Sequence, residues 1–145
     1  MDIRYVERVE FILSNFENYF KNIHPIPFLD DLTTKNVIIA NGSVSGIVDT
    51  DQVCFGDSMF TISLTNQAIL SRGADTDYIE YLLSAMNADS EKRIIMKVYS
   101  ILFCLIFMSE LGQVFNKKIE FNKEIYGNYR AIFEKLEKEI NTKSI

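Results

Sequence analysis

The chain has 145 residues, 48% apolar and 24% charged, with a formal net charge of −5. That length suits one domain with a core of its own, and the composition excludes a disordered chain. The negative charge and the lack of a Lys/Arg-rich stripe argue against nucleic acid as a partner and leave a cationic ligand open.

The opening MDIRYVERVEF is charged at once and has no signal-peptide layout. Tyr5, Val6, Val9, Ile12, Leu13, Phe16, Tyr19 and Phe20 recur at three- and four-residue steps, which predicts one amphipathic helix of about four turns. It cannot pass His24-Pro25-Ile26-Pro27, because each proline lacks a donor N–H and pushes its predecessor out of the α region. An extended stretch into Phe28-Leu29 follows. Val37–Ala40 and Val44–Val48 are β-prone runs joined through Asn41-Gly42, a strong hairpin signal. Gly56 and Asp57 close a loop, and Asp57 is placed to cap a helix over about Ser58–Leu70.

The remainder reads as helical. Tyr78, Ile79, Leu82, Leu83 and Met86 form one stripe after a turn around Gly73. Ser90 is placed to cap a helix carrying Ile94, Ile95, Val98, Leu102, Leu105 and Ile106 and stopping near Gly112. Asn122 is placed to cap the last helix, with Ile125, Tyr129, Ile132, Phe133, Leu136 and Ile140 inward. The most apolar stretch, Val98 to Met108, is too short to span a bilayer and reads as a core helix. Cys54 and Cys104 lack metal-ligand spacing and read as free thiols in a reducing cytosol. A cytoplasmic protein with no membrane partner is expected. The fold class expected is mainly α with a small β-hairpin (α+β). Two short strands do not make a stable sheet alone, so the hairpin is expected to pack on the helices.

One constellation stands out. Asn36 lies just before the outgoing strand and Asp49 just after the returning one, so a tight turn brings both to the same end of the hairpin. Asp31 lies five residues upstream, in the loop entering that end. Oxygen ligands of this type suit a hard cation, and magnesium usually takes one or two carboxylates, leaving room for water and phosphate oxygens. A further carboxylate can orient a hydroxyl and accept its proton in phosphoryl transfer. Singly, Asp31, Asp49 and Asp51 read as ordinary loop acids, since turns attract Asp. Their conjunction with Asn36 and the hairpin favours the metal reading, with Asn36 and Asp49 as ligands and Asp31 as base. Lys35 is placed to touch a phosphate or simply to face solvent. Asp75, Asp77, Glu80, Asp89 and Glu91 either form a solvated face or help attract a cationic substrate.

Written out, LDDLTTKN, VIIANGSVSG, IVDTD and GDSMFTI follow one another from Leu29 to Ile62. This order resembles the aminoglycoside phosphotransferase and choline kinase family, whose motif runs H-G-D-L-H-x-x-N, a turn, I-D-W/F-E/D, then G-D-P-x-x-D-L. The resemblance implies the C-terminal lobe of a protein-kinase-like fold: catalytic loop 29–36, hairpin 37–48, metal loop 49–57 and helical region 58–140. It implies Asp31 as catalytic base, Asn36 and Asp49 as Mg²⁺ ligands, Asp51 as a further acidic position at the metal, and Asp57 as a loop-bracing or capping residue. It further implies ATP or GTP as phosphate donor and a small-molecule hydroxyl as acceptor. Three positions depart from the pattern. Leu29 stands where the family has a loop-bracing histidine, Thr33 where a second is common, and Thr61 where the family has the Asp of its D-L pair. His24, the lone histidine, is off the motif.

The family's nucleotide-clamping lobe, with its Gly-rich loop and strand lysine, has no counterpart in this sequence. Two readings follow. The chain is the catalytic and substrate lobe of a phosphotransferase, very weak or inactive alone. Otherwise it is a kinase-derived binding or dimerisation module, or a truncated reading frame, using the exposed inter-lobe face for a homodimer or another partner.

Overall fold

The structure is a computed structural model that describes residues 2–29, 35–51, 53–111 and 121–142. Its elements in order are α1 (Arg4–Ser14), α2 (Glu17–Lys21), β1 (Ile26–Leu29), β2 (Val37–Ala40), β3 (Ser43–Ile47) and β4 (Val53–Gly56). Four helices follow: α3 (Ser58–Leu70), α4 (Asp77–Ala85), α5 (Ser90–Glu110) and α6 (Lys123–Asn141). The chain is mainly helical, with two small antiparallel sheets, as the α+β expectation has it.

The first helix is two helices, not one. At Asn15 and Phe16 the amides bond back three residues, to Ile12 and Leu13. These tighter bonds end α1, and Phe16 leaves the helical region with φ −115°. The break places Phe16 against both core clusters of the molecule. A straight helix would turn the Phe16–Phe20 face past one of them.

Helix α5 is the axis of the core. On one side Val98, Ile101, Cys104 and Met108 meet Tyr5, Val9 and Ile12 of α1 and Phe133, Leu136 and Ile140 of α6. Towards its start, Ile95 and Met96 meet Met59 and Ile62 of α3 and Ile79 and Leu83 of α4. The single-stripe expectation fails at three positions. Ile106 is exposed on α5, as are Tyr78 on α4 and Ile125 on α6.

The caps follow local chemistry. Asp57 accepts from the Met59 amide at 2.9 Å, and Asn122 accepts from Glu124 and Ile125 at 3.0 and 3.1 Å. Helix α5 is capped by Asp89, whose Oδ1 accepts from the Lys92 amide at 2.8 Å. Ser90, the expected cap, is the first helical residue. Asp is as strong a cap as Ser, and the choice of register belongs to packing. Gly112 lies outside the described residues; α5 ends at Glu110.

The seam between α3 and α5 is polar, which periodicity did not foretell. Ser63 Oγ donates to the Met96 carbonyl at 2.8 Å, and Ser100 Oγ donates to the same carbonyl at 2.9 Å. Asn66 Nδ2 donates to Ser100 Oγ at 3.3 Å. Gln67 is fully buried, and neither of its side-chain polar atoms has a partner among the described residues.

The strands form two ladders. β1 pairs with β4, from Ile26 opposite Gly56 to Leu29 opposite Val53. β2 pairs with β3 through the expected tight turn, with Asn41 at φ 52° and Gly42 at φ 74°, the positive pair that a type I′ turn needs. The register shifts between Ile38 and Ile39, leaving Ser45 as the extra residue of a bulge. Gly56 lies against the Phe28 ring, where a Cβ would come within 3.3 Å of Cε1. The hairpin does not pack on the helices as expected: most of β2 and β3 is exposed. β1 is the strand that meets α3, and the outer ladder is what joins the strand region to the helical body.

Candidate functional site

The two ladders are nested, and this nesting builds the site. The chain leaves the rung Leu29–Val53 by two segments, 30–36 and 48–52, and both end on the rung Val37–Ile47. Opposed residues of an antiparallel ladder lie about 4.5–5.5 Å apart at Cα. Leu29 and Val53 are thus close on one rung, and Val37 and Ile47 on the other. The Val48 amide donates to the Asn36 carbonyl at 2.9 Å, adding one more cross-strand bond.

Asn36 and Asp49 therefore sit at the same end of the hairpin, as expected. Asn36 is half-buried and Asp49 exposed. Both have interaction partners. Asp49 adopts φ 59°, a left-handed conformation that Asp and Asn tolerate better than most residues. Asp51 is exposed and lies two residues before β4, and Lys35 is exposed beside Asn36. Asp31, the expected base, lies outside the described residues.

Asp57 is fixed by two elements. Its Oδ1 caps α3, and its Oδ2 accepts from the Tyr19 hydroxyl of α2 at 2.9 Å. Burial first, and this carboxylate second, push the Tyr19 hydroxyl well above its ordinary pKa, so it stays a donor. Tyr99 of α5 is raised in the same direction, again by burial first and then by Asp57. Asp57 is a bracing residue held between α2 and α3, within electrostatic reach of Tyr99 on α5. Sequence reasoning found the cap and missed Tyr19, which its spacing marks only as a member of an apolar stripe, and Tyr99, which lies off the stripe read for its helix.

No protein-family model matches the chain, and no curated protein and no solved structure matches it. The site must therefore be judged on its own donors. Asn36 supplies an amide oxygen, and Asp49 and Asp51 supply carboxylates, all within the doubly tethered region. Such hard oxygen donors fit magnesium, which needs few protein ligands and keeps water or phosphate in its other positions. Among the described residues, no three His, Cys, Asp or Glu side chains cluster as a metal-binding group.

The acids on the helical side have structural work of their own. Asp89 caps α5, Asp75 accepts from the Asp77 amide at 2.7 Å, and Glu80 pairs with Arg93 at 2.7 Å. A cavity of about 380 Å³ opens among α3, α4, α5 and α6, lined by Asn66, Met96, Lys97, Leu136 and Glu139 among others. It lies at the far end of α3 from Asp57. No helix among the described residues is long and apolar enough to cross a membrane.

Proposed function

We propose that this chain is the metal- and substrate-binding lobe of an ATP- or GTP-dependent small-molecule phosphotransferase, of the aminoglycoside phosphotransferase type. The observation that carries the reading is the nested pair of ladders. It ties segment 30–36, with Asn36, to segment 48–52, with Asp49 and Asp51, at both of their ends.

Asn36 and Asp49 would hold Mg²⁺, with Asp51 beside them and Lys35 near a phosphate. Bound there, the ion would neutralise charge on the phosphates of the donor. Asp31 would orient the acceptor hydroxyl and take its proton. The left-handed backbone at Asp49 turns the chain straight after the ladder, and Asp57, held by Tyr19, fixes where that loop ends. A cationic acceptor suits the net negative charge. Positioning supplies most of the catalysis in this chemistry, so the lobe without a nucleotide clamp should turn over very slowly.

The direct test uses Mn²⁺ as a paramagnetic stand-in for Mg²⁺, followed by amide NMR. The amides of Asn36, Asp49 and Asp51 should broaden first, at sub-stoichiometric ion. Asp49→Asn keeps a residue that tolerates positive φ and removes the charge, so its broadening should need at least tenfold more ion. Uniform broadening, or an unchanged response in Asp49→Asn, would overturn the metal assignment. With a nucleotide-clamping lobe supplied, Asp31→Asn should lower turnover by orders of magnitude and leave the fold intact. The alternative, a non-catalytic binding module, draws its support from the uncovered apolar strands.

A further inference from the structure

The cavity of about 380 Å³ among α3, α4, α5 and α6 runs from the core to the surface. Asn66, Ile79, Met96 and Leu136 line it with buried side chains, and Ala131 and Lys135 line it with exposed ones. Its volume falls in the range of small-molecule pockets, roughly 300–1,000 Å³. At about 30 Å³ per water, it has room for roughly a dozen non-hydrogen atoms. Leu70 and Ile132 add to its apolar walls.

One polar atom is left open at the buried end. Asn66 is 4% exposed, and its side chain makes a single hydrogen bond among the described residues, from Nδ2 to Ser100 Oγ. The direction of that bond is fixed. Ser100 Oγ gives its own proton to the Met96 carbonyl, so towards Asn66 it can only accept. The amide nitrogen therefore faces Ser100, and the carboxamide oxygen is left without a donor among the described residues. A buried acceptor in that state costs stability until a donor reaches it. Asn66 lines the cavity, so the donor can come from there. Water would serve the oxygen but not the apolar walls around it, and an organic molecule serves both.

The sign of the ligand is set by the charges along the walls. Among the described residues these are Glu80, Lys97, Lys135 and Glu139. Lys97 pairs with Glu139 at 2.5 Å, and Glu80 pairs with Arg93 at 2.7 Å, so both acids are already answered. Lys135 has no ion pair among the described residues. We propose that the cavity binds a small organic acid, with its carboxylate at Lys135 by the mouth, its apolar body between the helices and a hydroxyl or amine donating to Asn66. The site lies at the far end of α3 from Asp57 and is separate from the proposed metal region.

The probe is 3-(4-hydroxyphenyl)propionate, titrated to about 5 mM into the ¹⁵N-labelled full chain and followed by NMR. Saturable shifts are expected at the Asn66 side-chain amide and at the backbone amides of Ile79, Ile132 and Leu136. 3-Phenylpropionate lacks the donor and should bind about threefold or more weakly. Tyramine keeps the ring and hydroxyl but carries an ammonium in place of the carboxylate, and should bind at least about fivefold more weakly. Lys135→Gln should weaken the acid by about two- to fivefold and should not weaken tyramine. Ala131→Phe, at an exposed position, should fill the cavity and abolish the shifts while the far-UV spectrum stays unchanged. Tyramine binding as tightly as the acid, shifts that do not saturate, or a response unchanged in Ala131→Phe overturns the proposal. The phosphotransferase reading stands or falls by Mn²⁺ broadening at Asn36 and Asp49, which none of these results touches.

Discussion

Replacing Arg8 by Ala should show how far the fold rests on one ionic clamp between α1 and α6. The Arg8 guanidinium donates to both oxygens of Glu134, at 3.0 and 2.9 Å, and through Nε to Glu137 at 2.9 Å. It also donates through Nη2 to the second Glu137 oxygen. The same group lies 4.8 Å over the Phe133 ring and 5.1 Å from the centre of the Tyr5 ring. A partly exposed pair contributes about 0.2–1 kcal/mol, and good forked geometry moves each of the two pairs to the upper end. The stacked ring contact adds about 0.5–1 kcal/mol. Removing the cation also leaves two carboxylates facing each other across one helical turn. The loss should be about 2–3 kcal/mol, or a Tm lower by roughly 5–10 °C for a chain of this length.

The loss should also depend on pH. Arg8 holds the Glu134 carboxyl below its ordinary value of 4.5, while partial burial works against it. A group whose folded pKa is depressed stabilises the fold fully above its unfolded value, and that stabilisation disappears as pH falls through the folded value. The difference between the parent and Arg8→Ala should be whole at pH 7 and shrink below about pH 4. Arg8→Met, which keeps the stem over Phe133, should fall between the two. Urea unfolding followed by circular dichroism at pH 7 and pH 3 measures all three. A difference under about 0.5 kcal/mol at pH 7, or one of equal size at pH 3, refutes the clamp.

Two more outcomes follow from the core. Gln67→Met should raise stability by about 1–2 kcal/mol, because a buried amide whose one polar contact is with the Cys104 thiol is replaced by an apolar chain of similar size; a Tm that drops would show that this contact outweighs the burial of the amide. The Cys104 thiol is pushed up to about 12 by burial, partly offset by the Gln67 side chain. At pH 8 a thiol reagent should label Cys54 in the folded protein and reach Cys104 only on unfolding, and one rapid equivalent at each would contradict the packing.

What the sequence revealed and what it hid divide along physical lines. The tight turn at Asn41-Gly42 and the caps at Asp57 and Asn122 were legible, because each depends on a few neighbouring residues. The split at Asn15-Phe16 was not, since no Pro or Gly marks it and the cause is Phe16 reaching two clusters distant in sequence. The single stripe assumed for α5 misplaced Ile106, because periodicity marks an apolar face without saying where around α5 its partners α1, α3, α4 and α6 sit. The pairing of β1 with β4 was hidden for the same reason: Ile26–Leu29 and Val53–Gly56 are each too short to announce a strand, and 23 residues separate Leu29 from the start of β4 at Val53 by count of the intervening chain. The placement of Asn36 and Asp49 at one end of the hairpin needed only the hairpin, so it too was legible. Asp31 is a different case, since it lies outside the described residues.

The unforeseen ladder changes the meaning of the foreseen site. A hairpin alone brings Asn36 and Asp49 to one end but leaves the chain on either side free to diverge. The Leu29–Val53 rung brings the chain together again beyond both segments. Charge is segregated along this stretch as well. Asp30, Asp31, Lys35, Asp49 and Asp51 all fall in the connecting segments, and the four strands between them carry no charge. A stretch selected only for solubility would reverse that pattern, putting charge on exposed strands and sparing the loops. The observed pattern suits an element that presents acids at its end and apolar faces along its sides. That is why a hard cation is proposed for the segments that join these strands.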